Sequence, residues 1–362
     1  MILKRMTFGE LFLLSLTSKK SMNSISYVVW REIKKIEYSE SDGLVVYGVL
    51  RDENRKENEY ETFLHIYDKR QIQENPRKNC HFSRCFTVPI GGVIGSGCAE
   101  KCHPPILFIK ESLEEPIVEM IYNRIDRLFG KYAECKLSTW TFFPKFIRST
   151  QIDIYSRFSM KETKQGERLD DFISSVPIQK RLALTKGCYI SFLNPNSKFY
   201  FSDELIIHES LEWGFRALSN FKGRKAFLYM VDGELNDFFR FLNEWKSKRN
   251  HENLKILEIH WFRKIFTDNE IDCEKIKQDS DVKKIPSFID PPVIEEREFF
   301  YNGTSRFRKR KFLHYIVRDD GIVAWIFATK AKISFCVQSF TENQMLEKDG
   351  MENSRSLYKN IL

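Results

Sequence analysis

Apolar residues in this chain recur at two periods, and the changes from one to the other mark out its elements. Thr7 and Glu10 stand three apart ahead of a dense apolar row, Leu11, Phe12, Leu14 and Leu16. That is a capping-box pattern, with Met6 and Leu11 at the staple positions, so a helix is predicted from near Phe8 to a basic last turn at Lys19 and Lys20. From Ser24 to Lys35 the pattern predicts a second short helix or a turn into a strand, with Trp30 and Ile33 facing inward. Alternation then takes over at Ile33–Tyr38 and again at Leu44–Val49, on either side of Ser41-Asp42-Gly43. Asp-Gly between two alternating runs signals a hairpin. A further strand is expected at Glu61–Tyr67, and residues 51–60 are charged enough to be a solvated loop.

Residues 75–105 break both periods. They hold four glycines between Gly91 and Gly97, the pair Pro104-Pro105 and four cysteines, and are expected to be irregular. Helical spacing returns with Ile117, Ile121, Ile125, Leu128, Phe129 and Tyr132, behind a proline at position 116 where a helix start tolerates it. Short strands are expected at Gln151–Tyr155, Arg181–Leu184, Glu204–His208, Ala226–Met230 and Lys255–His260. The clearest helix covers Leu235 to about Lys248, with Asn236 as N-cap and Leu235, Phe238, Phe239, Leu242 and Trp245 as its buried stripe. Strand, turn, helix and strand thus recur at irregular spacing, like a degenerate leucine-rich solenoid whose neighbouring units share one core. Residues 267–296 read as a long connection. A hairpin follows, with Phe312–Val317 and Ile322–Phe327 flanking Arg318-Asp319-Asp320-Gly321, and Ile333–Val337 adds a strand.

Composition narrows the function classes. With 362 residues, 42% of them hydrophobic and 31 of them phenylalanine, the chain supports more than one packed core. No apolar run approaches the roughly 20 residues that span a bilayer. The N-terminal segment also lacks a signal-peptide cleavage pattern. The net charge of +8 comes from 58 basic residues against 50 acidic ones, a mixed balance that disfavours a nucleic-acid binder. The exception is the run Arg306–Lys311, with three readings in order of preference: a solvated loop or edge strand, a nuclear-import signal, or a phosphate-binding patch. Eight cysteines fit reduced thiols in a cytoplasmic or nuclear protein.

No catalytic constellation emerges, and the chain is expected to be a non-enzyme without cofactor. The glycine-rich Gly91–Gly97 lacks the Gly-Lys-Ser/Thr ending of a phosphate loop. His208, His251, His260 and His314 are scattered, and no serine or cysteine sits in a nucleophile elbow. Cys80, His81, Cys85, Cys98, Cys102 and His103 form the one zinc-like cluster, with the four cysteines as its weak candidate ligands, but the familiar two-residue gaps are missing, so no metal is assigned.

Two stretches resemble a known family. Residues 6–20 are similar to the second half of an F-box, in which a short helix follows one that begins with a Leu-Pro pair; that pair has no counterpart here. The run Leu235–Trp245 followed by Leu254–Ile259 resembles the nematode F-box-associated domain, type 2, as do the hairpin Ile316–Ala324 and the stretch Ile117–Leu137. The resemblance covers roughly residues 6–38 and 105–337. Together with the residue pattern it implies an α+β chain: by resemblance a shortened F-box (1–38) and a mixed, leucine-rich-repeat-like substrate-recognition domain ending in a β-hairpin (105–340), and by pattern a β-hairpin and irregular linker region (39–104) and a polar, disordered tail (341–362). It further implies an adaptor of a Skp–cullin–F-box ubiquitin ligase. Phe8, Leu11, Leu14, Leu16, Lys19 and Lys20 would meet the Skp-type adaptor, and the C-terminal region would bind an unknown target protein, with no membrane role. The alternative is a protein-binding module uncoupled from the ligase by loss of the first F-box helix.

Overall fold

The computed structural model describes residues 3, 6–26, 33–40, 44–50, 59–68, 85–90, 93–100, 103–109, 114–129, 134–139, 149–155, 163–186, 190, 193–261, 276, 281–287, 289, 293–299, 305–329 and 331–347. It is an α+β protein that divides into two compact units, Met1–Leu182 and Ala183–Leu362. The division falls inside the expected 105–340 domain.

The first unit opens with α1 (Phe8–Thr17) and α2 (Lys19–Ser26). The predicted capping box is present. Thr7 Oγ1 accepts from the Glu10 N–H at 3.2 Å, and the Thr7 N–H donates to Glu10 Oε2 at 2.8 Å. The expected basic last turn is corrected: Ser18 turns extended, with φ −160°, so α1 stops at Thr17 and the two lysines open α2 instead. Seven or eight residues further on come the hairpin strands β1 (Ile33–Glu40) and β2 (Leu44–Leu50), then β3 (Glu59–Asp68). Both hairpin arms and the third strand agree with the alternation; Trp30 and the turn at 41–43 lie outside the described residues.

The irregular reading of 75–105 is corrected. From Cys85 onward it holds β4 (Cys85–Ile90), β5 (Val93–Glu100) and the start of β6 (His103–Ile109). Glycine and proline had hidden them, since strands usually exclude both from their interiors. Next come α3 (Glu114–Phe129), β7 (Glu134–Thr139), β8 (Gln151–Ile154) and α4 (Thr163–Ser175). The predicted stripe of α3 is buried at Ile117, Ile121, Ile125, Leu128 and Phe129, and Tyr132 lies outside the described residues. Within the unit the strand order is β8-β7-β1-β2-β3-β6-β5-β4. Strands β1, β7 and β8 run parallel, as do β3 and β6, while the remaining neighbours are antiparallel.

The second unit takes over within β9 (Arg181–Lys186) and continues with β10 (Glu204–Glu209), α5 (Gly214–Asn220), β11 (Lys225–Val231), α6 (Leu235–Lys246) and β12 (Ile256–Trp261). All the strands expected here form. Strands β10, β11 and β12 are parallel neighbours joined through helices, as the strand–helix rhythm implied. Two details of α6 are corrected. Its N-cap is Glu234, paired in a capping box with Asp237, rather than Asn236. Its fully buried stripe is Phe238, Phe241, Leu242 and Trp245, while Leu235 and Phe239 are half-buried. Phe241 and Trp245 set their rings edge-on to Phe335, at 5.5 and 4.9 Å.

The unit ends with β13 (Lys283–Lys284), β14 (Val293–Phe299), β15 (Ser305–Lys311), β16 (His314–Val317), β17 (Ile322–Thr329), β18 (Lys332–Thr341) and α7 (Glu342–Leu346). The hairpin β16–β17 turns at Gly321, whose φ of +85° suits a residue without Cβ. The helix α7 lies in the stretch expected to be disordered. It is capped by Thr341 and Gln344 and anchored by buried Met345, which joins the cluster of Ile285, Phe312, Tyr315 and Trp325. Strand order is β9-β10-β11-β12-β18-β17-β16-β13, and β14 and β15 form a two-stranded sheet of their own.

Candidate interaction faces

Alternation along a strand sends one row of side chains into the core and leaves the next on the opposite face. In the second unit the inward rows are Leu205, Ala226, Leu257 and Phe335, then Ile207, Leu228, Ile259 and Ile333, all fully buried. The opposite face carries Ile206, Phe227 and Tyr229, half-buried, with His208 exposed. Here two of the scattered histidines, His208 and His260, come together on either side of Tyr229. The His208 and Tyr229 rings stack at 5.3 Å and 11°, and Tyr229 meets His260 at 4.7 Å. His260 Nε2 lies 3.3 Å from Glu258 Oε2, which also takes the Lys332 ammonium at 3.1 Å. Burial works to raise the Glu258 pKa, but His260 and Lys332 outweigh it and hold it below the usual carboxylate value. The face is therefore an aromatic and imidazole row beside a neutralised carboxylate. Such a row leaves aromatic area partly in contact with water.

His251 lies elsewhere in the same unit, just beyond the C-terminus of α6, with φ +62°. It is buried, and burial, with Lys222 nearby, pushes its pKa down to about 4. Its ring stands 3.6 Å from Glu244, beside a small cleft lined by Phe215, Leu218, Phe241 and Arg240.

The corresponding face of the first unit is built from charge. Lys35 pairs with Glu37 at 2.8 Å, Lys136 reaches Glu37 at 3.7 Å and Asp153 at 2.8 Å, and Arg181 lies 3.9 Å from Asp153. Burial disfavours the Lys136 ammonium, but Asp153 and Glu37 outweigh it and hold its pKa above the usual lysine value.

The residues expected to meet an adaptor divide into two groups. Leu11 and Leu16 are buried in the first unit, as is Phe12 between them. Phe8 and Leu14 are half-buried, and Phe8 sets its ring edge-on to Phe129 of α3 at 6.2 Å. Lys19 and Lys20 are exposed. Of the zinc-like cysteines, Cys80 and Cys102 lie outside the described residues, and Cys85 and Cys98 are register partners on β4 and β5. Among the described residues no group of three or more His, Cys, Asp or Glu is placed to hold a metal ion. No described helix is long and apolar enough to cross a membrane.

Comparison with protein-family models, curated proteins and solved structures returned no match. The faces must speak for themselves. Sequence reasoning missed the His208–Tyr229–His260 row because its members are 21 and 31 residues apart and meet only through strand pairing. The available signal was a polar or aromatic residue at the same late position of three successive strands.

Proposed function

We propose that this chain is a substrate-recognition adaptor of a Skp–cullin–F-box type of ubiquitin ligase. It would engage a Skp-type adaptor through α1 and the start of α2, and a target protein through the half-exposed face of β10–β12. What supports the reading is the capping-box helix α1, which keeps Phe8 and Leu14 partly at the surface ahead of exposed Lys19 and Lys20, in the part of the chain that resembles an F-box. Burying such a surface yields roughly 25 cal/mol per Å² of apolar area.

The test is a pull-down of the chain on immobilised Skp-type adaptor. Wild type is expected to bind, and Leu14→Asp with Lys19→Glu is expected to lose binding while keeping its thermal midpoint. Leu11→Asp is unsuitable as a probe, because Leu11 is 2% exposed and a charge there disrupts the first unit itself. One observation favours a second reading, a protein-recognition module without ligase coupling. Leu11 and Leu16 are already committed to the chain's own core, which leaves a smaller apolar surface for an adaptor. Absence of binding by folded wild-type protein would select that reading.

A further inference from the structure

The basic run Arg306–Lys311 plays no part in the faces described above. It forms β15, and its register partner β14 is acidic. Glu295 stands opposite Lys309, Glu296 opposite Arg308 and Glu298 opposite Arg306. Opposite charges at facing positions stabilise an antiparallel pair. The match ends toward one end of the ribbon, where Arg310 faces Ile294 and Lys311 faces Val293. Across the two strands six basic positions stand against three glutamates, leaving a net charge of +3. The sheet contains these two strands and no third among the described residues.

We propose that this ribbon binds an acidic, extended peptide segment of a partner protein as a third strand along β15. Strand addition supplies affinity through backbone hydrogen bonds and specificity through alternate side chains. A row of lysines and arginines resists pairing with a copy of itself, which is how natural edges avoid aggregation, yet it attracts a strand of opposite charge. The chain already contains such a strand, since β14 pairs with β15 and places three glutamates at register positions opposite basic residues. Nucleic acid fits less well. By strand alternation, position 295 falls on one face of the ribbon and positions 296 and 298 on the other, so acidic residues interrupt the basic run on both faces. The proposal is independent of whether α1 docks on a ligase adaptor.

The full-length chain is titrated into fluorescein-labelled Val-Ile-Glu-Glu-Glu-Glu-Phe, and binding is followed by anisotropy. Three other probes run alongside: the same peptide with lysines for glutamates, Val-Pro-Glu-Glu-Glu-Glu-Phe, and oligo-deoxythymidine. Saturable binding of the first peptide is expected, weakening as salt rises from about 50 to about 200 mM. The proline peptide has the same charge but lacks a ladder N–H, and is expected to bind about tenfold more weakly. Arg310→Glu with Lys311→Glu leaves the three acid–base register pairs in place and is expected to cost about tenfold in affinity. If that variant loses the wild-type circular dichroism, Arg310→Ser with Lys311→Ser carries the test, with a loss of about threefold expected. The proposal is overturned by equal binding of the lysine or proline peptide, by tighter binding of the oligonucleotide, by unchanged affinity in a folded variant, or by no binding at all.

Discussion

The non-core faces of the two units solve the same problem with opposite chemistry. Both lie on parallel strands whose alternate residues fill a core. In the first unit the remaining residues are Lys35, Glu37, Lys136, Asp153 and Arg181, each within reach of an opposite charge. Along that ladder charge meets charge. In the second unit the remaining residues include Ile206, Phe227 and Tyr229 flanked by His208 and His260, with Glu258 beside them already neutralised by Lys332. An aromatic row of this kind keeps apolar area in partial contact with water, and covering it is favourable. Self-pairing charge stabilises a fold and leaves little for a partner; stacked aromatics leave more.

The largest expected effect lies beneath the second face. Trp245→Ala removes a fully buried ring packed on Phe335 and should cost the second unit about 3–5 kcal/mol. Denaturant unfolding followed by hydrogen exchange in each unit checks this; equal loss of protection in the first unit would mean that the two do not unfold separately. Next is Asp153→Ala, which leaves the half-buried Lys136 with only its longer contact to Glu37. It should destabilise the first unit by about 1–3 kcal/mol, and Lys136→Met in the same chain should recover most of the loss. A double-mutant cycle showing no coupling would remove the ladder from the stability of that unit.

A pH effect separates the units without breaking either. His251 has a folded pKa of about 4, below the unfolded value of about 6.5. The unfolded chain therefore takes up the proton first. The contribution is full above pH 6.5 and is lost as pH falls toward 4, by an amount on the order of 3 kcal/mol. The left-handed φ of His251 admits asparagine, so His251→Asn should flatten this part of the pH–stability profile of the second unit. A variant that keeps the wild-type slope would assign the slope to other groups. Smaller again is Thr7→Ala, which removes the α1 cap and should lower the stability of the first unit by about 1 kcal/mol, read from the urea midpoint. Of similar size is Tyr229→Ala. It should cost about 0.5–1.5 kcal/mol, because two ring contacts are lost at a half-exposed site. A larger loss would make Tyr229 a core residue and weaken the case for a binding face.

Much of this architecture was legible in residue order. The α1 capping box, the β1–β2 and β16–β17 hairpins, and the strands from Gln151 to Trp261 follow from local pattern, because turn chemistry and hydrophobic period act over a few residues. Errors arose where local signals conflict with distant partners. Strands β4 to β6 carry glycines and prolines that read as loop, yet pairing along a sheet holds them extended. Phe241 and Phe239 are both plausible for the buried stripe of α6, and contact with Phe335, nearly a hundred residues away, selects Phe241.

The chain's own order of residues determined where helices begin, where hairpins turn and which strands alternate, since those are short-range matters of sterics and burial. Only the tertiary structure decided which residues meet: that His208, Tyr229 and His260 form a row, that Leu11 and Leu16 turn inward while Phe8 and Leu14 remain partly exposed, and that the acidic β14 lies along the basic β15. Register and packing join positions that no local period connects, and contact between distant residues becomes specific only once a shared core has fixed the strands side by side.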